Sequence, residues 1–448
     1  VAAAKGSVAR LGPVVGIPTD LGATARDGQE ATMAGRSPRE RLTLADVRAY
    51  WSQEARSVRS SLSALAFGLV ATLVAGLVLA TYGDEFAAVP GLLALVPAAI
   101  GMRGSIFGAF GSRLATAILT GEFRPELRRS SYLGRQVEAT IVLSVASATQ
   151  AGALAWAVSN LFGLPTIGFL DLVAISLVGG TIASIVLLVL VVAMARRSEA
   201  GGWSMDDVVA PSITAVGDLV TLPAMLVGAA ILAFPRTATA VGAVAVVAGI
   251  ALAVAGTRTG DAAIRRVVRE SLAVLTIAVT IDVIAGVVLE TRIETVFSAA
   301  ALLVLLPPFI ANCGSLGGML ASRLASKLHV GTLTARRLPD RTAVLDFTLT
   351  ALLAFVAFTG VGAVGWLAAV IVPAVEPLPL LTTVLVTLVA GLIALPVLAL
   401  VAHGAATVSF RHGFDPDNHG IPIVTATMDL VGVLCLVAAI VLLQVGVT

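Results

Sequence analysis

The sequence predicts an all-α polytopic membrane protein of about eleven transmembrane helices, and three observations predict it. Of its 448 residues, 58% are hydrophobic and only 12% are charged, with a mean hydropathy of +0.98. Soluble domains carry about 25% charged residues, so this chain could not cover a water-facing surface of its size. Apolar segments of about 20 residues, enough to span a bilayer, recur at short intervals. Lys and Arg gather in every second connection between them. The alternating segments of roughly ten residues that a barrel needs are absent. Gly, at 43 residues, suits close helix packing. Cys313 and Cys435 lie inside apolar runs, which excludes a disulfide framework and a cysteine zinc site.

Residues 1–59 form a tail rich in Arg, Gly, Ala and Asp, without a signal-peptide hydrophobic region. Its first part has the composition of a disordered segment. Residues 37–54 predict a short amphipathic helix with Leu42, Leu44, Val47 and Trp51 on one side. Spans follow at 60–82, 90–112, 137–162, 169–194, 208–234, 237–256, 271–289, 297–322, 344–372, 380–402 and 422–445. With the N-terminus inside, the cytosolic connections collect Arg124, Arg128, Arg129 and Arg135, then Arg196 and Arg197, then Arg258, Arg265, Arg266 and Arg269. Lys327, Arg336, Arg337, Arg341 and Arg411 continue the series, and only Arg236 and Arg292 fall outside. This alternation predicts a cytosolic N-terminus and an external C-terminus.

The chain also repeats itself. Pro97, Gly104, Ser105, Gly108, Ser112, Arg113, Leu114, Ala115 and Gly121 fall without a gap on Pro307, Gly314, Ser315, Gly318, Ser322, Arg323, Leu324, Ala325 and Gly331. The same offset places Arg59, Ser61, Leu62 and Gly76 on Arg269, Ser271, Leu272 and Gly286. One residue further on, Pro211, Thr214, Asp218, Leu219 and Val220 match Pro422, Thr425, Asp429, Leu430 and Val431. A five-helix unit is therefore duplicated. Because five is odd, direct fusion would invert the second copy. The unmatched span 237–256 restores a common orientation, predicting two parallel repeats, 60–235 and 259–448, joined by a linking helix at 236–258. Transporters with such repeats place ion sites at the interface near the midplane.

Ionisable side chains within a bilayer are costly and point to function. Asp218 and Asp429 are repeat equivalents about ten residues inside their spans, roughly 15 Å deep at 1.5 Å rise per residue. Two carboxylates facing each other there could not both stay ionised without a divalent cation or a water-filled path. Oxygen ligands surround them in the pattern: Thr214 and Thr425 one turn earlier, and Ser105, Asn312 and Ser315 on the other repeated helix. Such hard donors suit Mg²⁺ or Ca²⁺, and Mg²⁺ would pass largely hydrated. Asp282 matches Thr72, so it belongs to one half only, where a local hydrogen bond and a pore role are equally open. Arg103, opposite Cys313, either neutralises an acid or shapes the path. Glu138 and Asp346 read as cation-attracting mouth residues or as solvated helix-start acids. Asp206, Asp207, Asp415 and Asp417, with His412 and His419, read as loop residues or a cation vestibule.

These residues resemble the membrane domain of MgtE-type magnesium transporters and their relatives in solute carrier family 41. The resemblance rests on the Pro-to-Gly runs at 97–121 and 307–331 and on the stretches ending at Asp218 and Asp429. It implies a Mg²⁺ path lined by the second and fifth helices of each unit, with Asp218 and Asp429 binding the ion and a backbone carbonyl contributed at Thr214 and Thr425. It also implies the fused form of family 41, where bacterial MgtE proteins dimerise. The family's Gly-Asn pair is replaced here by Arg103-Gly104-Ser105 and Asn312-Cys313-Gly314-Ser315. The tail is too short for the regulatory domains of bacterial MgtE.

The sequence reading is thus a divalent-cation transporter or channel in the plasma membrane, with Mg²⁺ as transported ion and no cofactor. The lipid bilayer is its surrounding partner, and neither nucleic acid nor an obligate protein partner is expected. No GxxxxGK[ST] occurs, so the membrane potential is the expected drive. The alternative is an exchanger coupled to Na⁺ or H⁺, with Asp282 as a proton site. An intramembrane enzyme would need a nucleophile–base pair or a His-rich metal site. The four His residues all fall near or beyond helix ends.

Overall fold

The computed structural model describes residues 43–201, 205–291, 300–373, 375–413 and 420–445. Among them the chain forms thirteen α-helices and no strand. A short helix, α1 (Leu44–Gln53), leads into α2 (Ala55–Thr81) and the one-turn α3 (Gly83–Ala87). The first half continues with α4 (Leu92–Leu119), α5 (Tyr132–Leu161), α6 (Phe169–Gly201) and α7 (Asp206–Ala229). Helix α8 (Pro235–Arg258) follows. The second half holds α9 (Ala262–Thr291), α10 (Ala300–Val330), α11 (Arg341–Ile371), α12 (Leu380–His412) and α13 (Ile421–Leu442). Eleven of these helices are long and apolar enough to cross a membrane, matching the eleven predicted spans one for one.

Local chemistry sets several helix ends. The Ser131 hydroxyl accepts from the Gly134 amide, and the Asp340 carboxylate accepts from the Ala343 amide, so the third helix of each half starts on a capped turn. Pro235 opens α8, where its missing N–H costs nothing. Gly413 ends α12 at φ 67°, a conformation that favours glycine.

The two halves exchange their first helices. Helix α2 packs against α10 and α11 of the second half, and α9 packs against α4 and α5 of the first. Each also touches the fifth helix of its own half, α2 on α7 and α9 on α13. The repeated glycines make the exchange possible. A Cβ at Gly76 would collide with the Val304 carbonyl on α10, and one at Gly286 with the Ala94 carbonyl on α4. Val304 and Ala94 are themselves repeat equivalents, so one backbone-to-backbone contact occurs twice. Such small-residue contacts hold membrane helices together where burial in lipid offers little difference between partner and solvent.

Helix α8 lies against α5 and α6. Gly242 and Gly249 seat it on the Leu170 carbonyl and on Thr149, and Val244, Val247 and Ile250 point outward. An outward apolar face suits contact with lipid. The amphipathic helix expected near the N-terminus is present, and Val47 and Trp51 of the expected side are half-buried. Leu44 is exposed, and the buried residue is Tyr50. Polar partners on α10 and α11 add Tyr50 to the packed side, beside Trp51. Leu42 and the tail before it lie outside the described residues, as do Asp415, Asp417 and His419. The side chains of Asp206 and Asp207 also lie outside them.

Candidate functional site

Asp218 on α7 is buried and Asp429 on α13 half-buried. Their carboxylates lie within reach of each other's charge. The second half holds the better-defined cluster. Gly314 on α10 has no side chain, and its open Cβ position lies 3.2 Å from Asp429 Oδ1 and 3.8 Å from the Thr425 carbonyl oxygen. The Thr425 hydroxyl is turned away, donating to the Pro422 carbonyl at 3.0 Å. A carboxylate and a main-chain carbonyl therefore converge on the glycine. One turn on, Gly318 meets the Thr425 methyl group. Asn312 is buried and donates its amide to the Pro308 carbonyl at 2.8 Å, which leaves its side-chain oxygen as an acceptor.

The first half is more open at the equivalent place. Nothing stands within 4 Å of a Cβ at Gly104 or Gly108 on α4. Ser105 and Thr214 are half-buried, and Ser315 on α10 is exposed. The structure thus brings Asp429, Thr425 and Gly314 together and sets Asp218 within electrostatic reach. The hydroxyls of Ser105, Thr214 and Ser315 make none of the described hydrogen bonds with that cluster. Among the described residues, no three His, Cys, Asp or Glu side chains stand close enough to hold a metal ion directly.

Asp282 on α9 is 1% exposed, fits against Gly101 of α4, and feels the Asp429 charge. Arg103 is fully buried, donates to the Ala99 carbonyl, and lies against α6 at Gly180. Cys313 packs near Gly432 between α10 and α13. Neither reading of Asp346 holds. It is completely buried, held by Lys327 Nζ at 2.7 Å and Arg323 Nε at 3.4 Å, and it accepts from the Tyr50 hydroxyl. Glu138 is a surface residue 3.7 Å from Arg129. The signal for the Asp346 network was present in Arg323 of the repeated Ser-Arg-Leu, to which the pattern alone assigned no partner.

A family model, MgtE, described as a divalent cation transporter, matches residues 96–228 and 306–439, together more than half of the chain. The chain belongs to the MgtE family. One matched stretch falls in each repeat, so the chain has the fused two-repeat form. MgtE proteins are transporters and not enzymes. A rat relative, solute carrier family 41 member 3, is 23% identical over 383 residues, covering 80% of this chain and 81% of its own length. No solved structure gives a significant match.

Proposed function

We propose that the chain carries Mg²⁺ across the plasma membrane along a path between its two halves, with Asp218 and Asp429 facing the ion. One observation carries this reading. Asp429 Oδ1 and the Thr425 carbonyl converge on Gly314, with a second carboxylate in reach. Mg²⁺ dehydrates reluctantly and is held through one or two carboxylates while keeping its waters, so it needs no protein cage. Asn312, Ser105, Ser315 and Thr214 then serve as partners for those waters on the path.

The reading takes 1–59 as a cytosolic tail, 60–235 and 259–448 as the two MgtE-like halves, and 236–258 as the linking helix. It sets the Arg-rich connections in the cytosol and the end of α13 outside. A potential of 100 mV contributes about 2.3 kcal/mol per charge, so roughly twice that for a divalent ion, which suffices for uptake. The test is Mg²⁺ influx into proteoliposomes with and without an imposed inside-negative potential. Influx that follows the potential supports the passive path. Influx that ignores the potential and instead requires a Na⁺ or H⁺ gradient would replace it with a coupled exchanger.

A further inference from the structure

We propose that Asp282 is a third acid of the ion path and sets its preference for divalent over monovalent cations; this rests on the Mg²⁺ reading above. Asp282 is almost completely buried, and its Oδ1 has no hydrogen-bond partner among the described residues. A carboxylate left unpartnered in the interior is costly, so the fold gains nothing structural from it. The other half shows a cheap solution at the same place. Thr72 is equally buried, and its hydroxyl donates to its own helix, to the Gly68 carbonyl at 3.0 Å.

The acid is also accommodated by a second residue. A Cβ on Gly101 would collide with Asp282 Oδ2. The repeat equivalent of Gly101 is Ala311, so the glycine that makes room for Asp282 is not repeated where Thr72 replaces the acid. Acid and gap thus occur together across one exchanged contact, Asp282 of the second half on Gly101 of the first, and both are missing at their repeat equivalents, Thr72 and Ala311. The carboxylate so housed lies within charge reach of Asp429, which in turn feels Asp218. A divalent cation held by Asp429 and Asp218 favours the ionised form of Asp282, which then adds a third negative charge to its surroundings. Coulomb energy scales with the charge of the ion, so each acid favours a divalent cation twice as strongly as a monovalent one. Asp282 acts at a distance through this field, without contacting the ion.

The experiment uses the full chain in proteoliposomes and compares Asp282→Asn, Asp282→Thr and Gly101→Ala with wild type. The readouts are half-saturating Mg²⁺ and the Mg²⁺-to-K⁺ permeability ratio, with insertion and thermal stability checked for each variant. Removing the charge should raise half-saturating Mg²⁺ about tenfold, weaken K⁺ only about threefold, and so lower the ratio about threefold. Gly101→Ala should shift both readouts in the same direction by displacing the carboxylate, and should add little on top of Asp282→Asn. Asp282→Thr copies the other half and keeps the test open where Asp282→Asn fails to fold. Unchanged affinity and ratio in a folded Asp282 variant, while Asp218→Asn and Asp429→Asn abolish flux, overturns this inference alone. Normal flux in those two variants overturns the shared-site reading and this inference with it.

Discussion

Lys327 Nζ on α10 lies 2.7 Å from Oδ2 of Asp346 on α11, a carboxylate with no exposed surface. In the first half the same offset puts Ala117 and Gln136 at these places, and the Gln136 oxygen accepts from Arg113 Nε at 2.7 Å. Both halves therefore tie the arginine of Ser-Arg-Leu to the third helix, but only the second does so with charge. That charge recruits α1 and the start of α2. Tyr50 donates to Asp346, Arg323 donates to Glu54 at 2.8 Å and to Ser57 at 3.0 Å, and Trp51 donates to Thr348 at 3.3 Å. Removing one member of a buried pair leaves charge uncompensated, at a cost of about 3 kcal/mol or more. Lys327→Ala should lower the thermal stability of the purified protein clearly. Lys327→Ala with Asp346→Gln, which copies the first half, should recover part of the loss. Additive losses in the double variant would show that the two residues do not act as one unit.

Tyr50 gives this network a pH signature. Burial, and then the neighbouring Asp346 charge, push its phenol above the usual tyrosine range of about 10. The unfolded chain loses this proton first, so the Tyr50 contribution is complete below about pH 10 and falls as pH rises past it. Unfolding midpoints measured from pH 8 to 11 should decline less steeply in Tyr50→Phe than in wild type. Identical slopes would remove Tyr50 as the source. At neutral pH the same variant should lose about 1 kcal/mol with the hydrogen bond.

The helix exchange rests on Gly76 and Gly286, each against a carbonyl of the other half. Neither glycine has a positive φ, so the requirement is space alone. Gly76→Val and Gly286→Val should each force α2 from α10 or α9 from α4, at about 1–3 kcal/mol or more. The repeat symmetry predicts similar losses at both sites, read as thermal stability and monodisperse yield. A neutral Gly286→Val would show that the close approach is not needed.

Much of this was legible from residues whose constraints are local. Span lengths follow from bilayer thickness, and the duplication showed because Gly, Ser-Arg-Leu and Asp recur in register. The exchange of α2 and α9 was not legible, because an apolar helix face reads the same whichever helix it meets. Asp346 looked like a solvated helix-start acid because its phenol partner, Tyr50, is 296 positions away. For Asp282 the missing fact was Gly101 opposite, which only packing reveals. Asp218 and Asp429 stood out because charge inside an apolar run has no ordinary explanation.

Orientation can be tested at the two ends of α8. Thr237, in its first turn, and Gly260, just past its end, are both exposed. The native Cys313 and Cys435 are buried, which keeps background labelling low. The alternation of basic connections predicts that Thr237→Cys labels from outside and Gly260→Cys from inside. The reverse pattern would invert the whole topology, and labelling of both from one side would remove α8 as a span.

The sharpest prediction concerns Asp218 and Asp429. They stand on equivalent helices, one buried and one half-buried, each within reach of the other's charge. A shared cation would offset a repulsion that otherwise disfavours having both ionised. Asn keeps the size and hydrogen-bonding capacity of Asp and removes only the charge. Asp218→Asn and Asp429→Asn should therefore each reduce Mg²⁺ uptake severely, by about tenfold or more, under an inside-negative potential. Groups acting on one ion are not independent, so the double variant should fall little further than the worse single one. Asp429→Asn should be at least as harmful, because the Thr425 carbonyl converges with it on Gly314 and the first half shows open space at Gly104. Near-normal uptake by both correctly inserted single variants would sink the shared site.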